Sequence, residues 1–191
     1  LIVKKYCKNG TLFYYINIIK MASALKNLSV YDDASMPSAA DMRFGIVIAA
    51  WNAHITHALY QGCLDTLLQH GAREEHIHVI QVPGSFELPT GARLLAGKHK
   101  LDAIICLGCV IKGETSHNEY INHAVATGLT NLSIASGQPV IFGVLTPNDE
   151  QQALDRAGGK HGNKGVEAAA TAIRMAALKR ELSTTKSKIG F

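Results

Sequence analysis

Residues 103–111 read AIICLGCVI, nine consecutive residues without a charged or amide side chain. A strand with one wet face would place a polar residue at every second position. This stretch has none, so it reads as a strand covered on both faces, as in a parallel sheet between two layers of helices. Working outward, residues 44–50 (FGIVIAA) and 140–145 (VIFGVL) repeat the pattern, and 76–82 (HIHVIQV) is a β-rich run stopped by Pro83-Gly84.

The intervening segments carry helical spacing. Ala58, Leu59, Cys63, Leu64, Leu67 and Leu68 line one face of a helix that Gly71 should end. Ser85 is expected to cap a helix running to about Ala96, and Thr115 and Ser116 to cap one from His117 to about Ser136. A short helix over 149–157 leads into the Gly-rich stretch GGKHGNKG, and an Ala-rich helix follows from Val166 to about Leu182. Strands alternating with helices predict an α/β three-layer sandwich: a four-stranded parallel sheet flanked by helices on both faces, flavodoxin-like in layout. The expected division is a leader and extended, partly disordered arm over 1–42, the α/β domain over 43–183, and a tail over 184–191.

Of 191 residues, 19 are Lys or Arg and 15 Asp or Glu, a formal charge of +4. Residues 1–20 hold four lysines and no acid, so the remainder is balanced and gives no basic signature for nucleic acid or an anionic membrane. The longest uncharged run in the leader, Asn9 to Ile19, falls well short of the ~20 apolar residues of a membrane span. It also holds Tyr14, Tyr15 and Asn17, unlike the core of a secretory signal. Met21-Ala22-Ser23 looks like an ordinary start, with 1–20 an upstream extension. Cys106 and Cys109 stand three apart on a strand and point to opposite faces, so they are expected to be reduced and buried rather than a metal grip, as in a cytoplasmic protein.

Ligands of parallel sheets bind at the carboxyl ends of the strands. One such end is Gly113-Glu114-Thr115-Ser116-His117, where helix-start amides and hydroxyls can hold an anion beside an imidazole able to move protons. The same residues also read as plain caps beside a surface histidine. Arg156 with Lys160 or Lys164 reads as a phosphate site or as a solvated basic turn; it is not a P-loop. Trp51, the single Trp, can stack on a planar heterocycle or pack at a rim. Glu87 can accept hydrogen bonds from a polyol or simply favour a helix N-terminus. The remaining histidines lack metal-ligand spacing, and no metal is expected.

Taken together, FGIVIAAWN (44–52), VPGSFELP (82–89), GCVIKGETSHNEYI (108–121), VIFGVLT (140–146) and RAGGKHGNKG (156–165) resemble the lumazine synthase family, over about Arg43 to Leu182. The resemblance implies condensation of 5-amino-6-(D-ribitylamino)uracil with 3,4-dihydroxy-2-butanone 4-phosphate, without cofactor or metal. It makes His117 the acid/base. It gives Trp51, Asn52, Ser85, Phe86, Glu87, Cys109, Val110 and Phe142 to the pyrimidine and ribityl chain, Phe142 from a neighbouring subunit. Glu114, Thr115, Arg156 and Lys164 go to the phosphate. Glu114 and Cys109 depart from the smaller residue and the Thr frequent in the family. The implied partners are small-molecule substrates and further copies of the chain, in a pentamer that some members build into an icosahedral shell, with residues 29–43 pairing with a neighbour's sheet. The competing reading is a non-catalytic flavin- or nucleotide-binding carrier; a shell that has lost activity is a third.

Overall fold

The computed structural model describes residues 4–8, 11–15 and 29–185. Lys4–Lys8 (β1) and Thr11–Tyr15 (β2) pair with each other as an antiparallel hairpin. Expectations for residues 1–3, 9–10, 16–28 and 186–191 lie outside the described residues. Phe44–Ala49 (β3), Ile77–Val82 (β4), Ala103–Cys109 (β5) and Val140–Leu145 (β6) form one parallel sheet in the order β4-β3-β5-β6. The charge-free run is thus an inner strand. Between the strands lie Ala53–Gln69 (α1), Leu88–Lys98 (α2) and His117–Ser136 (α3). After the sheet come Glu150–Asp155 (α4), the short strands Ala157–Gly159 (β7) and Gly162–Asn163 (β8), and Lys164–Thr185 (α5).

Alternation along the inner strands builds two cores. Ile46 and Ile48 of β3 and Ile105, Leu107 and Cys109 of β5 join Ile55, Leu59 and Ile173 of α1 and α5 on one face. Val47, Ala49, Ile104 and Cys106 meet Leu88, Ala92, Val125 and Leu129 of α2 and α3 on the other. Each fully buried aliphatic side chain contributes about 1.5–3 kcal/mol by leaving water, so the double-faced inner strands anchor the fold. Cys106 and Cys109 do fall in different cores. Helix α5 offers Ala168, Ala169, Ala172 and Ala176 to the first core, small enough for its axis to come close to α1. At Gly165 the approach is closest: an added Cβ would run into the carbonyl of Leu59.

Local expectations differ in four places. The helix after β4 starts at Leu88, because Ser85–Glu87 forms a 3-10 turn in which Glu87 Oε2 accepts from the Gly84 N–H at 2.9 Å; Ser85 is buried instead of capping. Ser116 is the residue before α3, but neither it nor Thr115 caps with its hydroxyl. The GGKHGNKG stretch is a two-strand ribbon, β7 against β8, and α5 starts at Lys164. Packing also begins before Arg43: Ala39 and Met42 are in the first core, and Ala39 N–H donates to the His70 carbonyl at 2.9 Å.

Candidate functional site

The strand ends are zipped to one another by backbone bonds. Ala50 N–H donates to Val82 O at 2.8 Å and Trp51 N–H to Pro83 O at 3.1 Å. Val110 N–H donates to Leu145 O at 2.8 Å and Lys112 N–H to Pro147 O at 3.0 Å. Asn52 joins the two halves: its Nδ2 donates to Cys109 O at 3.0 Å. It does so from a left-handed backbone, φ 59° and ψ 46°, which Asn tolerates better than other residues with a Cβ. Strand β3 therefore turns sharply into α1, and Trp51 is left 72% exposed at the rim.

Above these bonds lies a cavity of about 590 Å³. Trp51, Asn52, Ser85, Phe86, Glu87, Cys109, Val110, Thr115 and His117 line it, joined by Ile111, Asn118 and Ile121, which the sequence did not single out. His117 is the first residue of α3, exposed, where the helix's unbonded amides emerge. One oxygen of Glu87 is engaged by Gly84 N–H, which fixes the carboxylate at the cavity wall. Cys109 is 1% exposed, and burial pushes its thiol up to about 12, so it presents backbone and a neutral side chain. Glu114 is exposed and does not line the cavity, although its neighbours Gly113 and Thr115 do.

Arg156 and Lys164 lie elsewhere. They line a second cavity of about 260 Å³ with Thr146, Pro147 and Gln152, at the end of β6. Arg156 is held on three sides: Nη1 donates to His161 O at 2.8 Å, its carbonyl accepts from Lys164 N–H at 2.9 Å, and Nη2 is 2.7 Å from Glu167 Oε1. That last contact is an ion pair without hydrogen-bond alignment. Lys164 Nζ donates to Glu167 Oε2 at 3.1 Å. Glu167 thus lies between both cations, and sequence reasoning missed it; its only signal was the Lys-x-x-Glu spacing of a helix pair. Lys160 turns away to Asp155, 2.9 Å. That lysine, with Gln151, holds the Asp155 carboxyl below the usual range. Phe142 is on the outer strand β6, 36% exposed, and lines neither cavity.

Comparisons with known proteins identify the family. The family model described as 6,7-dimethyl-8-ribityllumazine synthase matches residues 41–180. Proteins of that name from Porphyromonas gingivalis, Cytophaga hutchinsonii and Parabacteroides distasonis are 51%, 53% and 52% identical to the chain. The alignments cover 84%, 82% and 81% of this chain and 99%, 98% and 97% of those proteins. No helix among the described residues is long and apolar enough to cross a membrane. The sheet, the strand-end cavity and these relatives converge: the chain belongs to the 6,7-dimethyl-8-ribityllumazine synthase family.

Proposed function

We propose that the chain performs the family's step of riboflavin biosynthesis with two half-sites, one holding the pyrimidine and the other the phosphate. Family membership and identities above 50% give the reaction: 5-amino-6-(D-ribitylamino)uracil and 3,4-dihydroxy-2-butanone 4-phosphate yield the lumazine, phosphate and two waters. The observation that carries the residue assignment is the first cavity, which gathers nine of the expected side chains. Trp51 offers a face for the pyrimidine. Glu87, oriented by Gly84, offers its second oxygen to ribityl hydroxyls, and the Cys109–Val110 backbone meets the ring edge. Ser85 and Phe86 complete the ribityl side.

Three chemical needs follow. The amine must meet a ketone, so positioning two substrates together is the first source of rate. Imine formation, loss of phosphate and ring closure each move a proton, and His117 is the imidazole at that cavity. Phosphate leaves as an anion, which Arg156 and Lys164, with the Thr115 amide, would stabilise. The two cations line a different cavity from His117 within one chain. We therefore place them opposite the His117 cavity of a neighbouring copy, with Phe142, in a pentamer. A carrier reading gives no role to a proton-moving group beside one cavity and a cation pair in another. Three buried, unpaired thiols, Cys63, Cys106 and Cys109, support a reducing compartment such as the cytoplasm.

Mixing the two substrates with the protein and following lumazine absorbance tests the activity; a rate equal to the uncatalysed one would refute it. Co-expression tests the shared site. His117→Ala and Arg156→Ala chains mixed in one ring leave about a quarter of the interfaces with both halves intact. Activity above that of either variant alone is expected, and no recovery in mixed rings would refute a site shared between chains.

A further inference from the structure

The turn that carries Arg156 and Lys164 is an unpromising platform. Residues 157–165 include four glycines, two of them at positive φ: Gly158 at 116° and Gly162 at 84°. Such a segment loses much conformational entropy when ordered, yet a phosphate site needs its cations fixed to a fraction of an ångström. Asn163 supplies the anchor. Its Nδ2 donates to the Ala58 carbonyl of α1 at 2.8 Å, and its Oδ1 accepts from Gly165 N–H at 2.8 Å. Its backbone is gripped from outside the turn by Ser29 of the N-terminal arm. The Ser29 hydroxyl accepts from Asn163 N–H at 2.5 Å and donates to Asn163 O at 2.9 Å. One hydroxyl thus serves both backbone groups of the residue immediately before Lys164. Lys164 N–H in turn donates to Arg156 O, so a shift at Asn163 moves both cations.

We infer that Ser29 and Asn163 are positioning residues for phosphate, and that the arm is a working part of that half-site. This rests on the assignment of phosphate to Arg156 and Lys164. A purely structural clasp would affect melting and both substrates alike, whereas a positioning role acts on the phosphate partner alone. In the full chain, Ser29→Ala should raise KM for the butanone phosphate about three- to tenfold, the worth of one or two partly exposed hydrogen bonds. KM for the pyrimidine should stay within about twofold, because that cavity is untouched. Inhibition by inorganic phosphate should weaken by the same factor, and Ser29→Thr, which keeps the hydroxyl, should restore it. Asn163→Asp, which loses the donor to Ala58, should shift the same two constants in the same direction. An Arg156→Ala control separates the two levels. If that control weakens inorganic phosphate but Ser29→Ala does not, the positioning role is overturned while the phosphate assignment stands. If Arg156→Ala leaves inorganic phosphate unchanged, the assignment fails and the positioning role with it.

Discussion

Replacing Gly165 by Ala sets two effects of opposite sign against each other. In an ordinary helix interior the change favours folding by about 0.8–1.0 kcal/mol through helix propensity. Here the new methyl would point at backbone. Its Cβ would fall inside contact distance of the Leu59 carbonyl, 2.7 Å from Leu59 C and 3.0 Å from Asn163 Oδ1. Carbon–oxygen contacts settle at ~3.3–3.6 Å, so α5 must retreat from α1 by well over an ångström to clear the Leu59 carbonyl oxygen. The obstacle is the main chain of a helix, with no flexible side-chain end to give way. Overpacking of a filled site costs about 1–3 kcal/mol, and an unyielding target puts this one at or above the top of that range. The net expectation is a loss of about 2 kcal/mol, or about 4–8 °C in Tm at 2–4 °C per kcal/mol for a domain of this size. The Gly165–Asn163 bond at the foot of Lys164 is strained by the same movement, so kcat/KM should fall at least about tenfold. The assay is thermal unfolding at one fixed protein concentration, because association shifts apparent stability. Gly113→Ala, with no atom within 4 Å of the new methyl, is the control and should melt like the parent. A Gly165→Ala protein melting at or above the parent would refute the steric reasoning.

Other expectations concern separate parts of the molecule. His117→Ala should lower kcat by about one to two decades, at or below the low end of the roughly two to four decades usual for a positioned acid/base, because proximity supplies much of the rate; complete loss of turnover with an intact circular dichroism spectrum contradicts that view. Burial alone would raise the Asp102 carboxyl, but hydrogen bonds from Arg180 and Arg43 N–H outweigh it and hold it below the ordinary range. Its contribution is therefore full above the ordinary carboxylate range and fades as pH falls through the lowered value. Asp102→Asn should cost about 1 kcal/mol or less at pH 7, since Arg180 is exposed, and less at pH 3 than at pH 7. Urea titrations at both pH values check this, and an equal effect at both is the adverse result. Burial raises the thiols of Cys63, Cys106 and Cys109, so maleimide at pH 7.5 followed by peptide mass analysis should leave all three unlabelled in the native protein and label them in guanidinium.

The sheet was legible because burial on both faces leaves an unbroken apolar run, as in the inner strands β3 and β5; β6 carries such a run too, although its first half is only partly covered. His117 was legible because a strand end, a cluster of hydroxyls and a helix start coincide in one short segment. Contacts decided by competition were not. Ser85 has the right chemistry to cap α2, but the 3-10 turn over Ser85–Glu87 comes before the helix and turns the serine inward. The β7–β8 ribbon was hidden because glycines carry no periodic signal. Ser29 was hidden for another reason: its partner lies 134 residues away, and nothing local to an extended arm announces such a pairing. Asn163 and Glu167 read as ordinary polar residues of a turn and a helix face until the fold brings Ala58 and Arg156 to them.

The carboxylate of Glu167 changes what phosphate binding would be. Arg156 and Lys164 already face an anion of the chain's own. An arriving phosphate would therefore trade places with a tethered competitor that never diffuses away. Exchange of this kind lowers ground-state affinity, because part of each new contact replaces an old one. It also eases departure, since the cations revert to Glu167 as phosphate goes. With phosphate at Arg156 and Lys164 as proposed, such a site would discourage product inhibition: affinity would be forgone on the way in, and the next cycle would begin sooner.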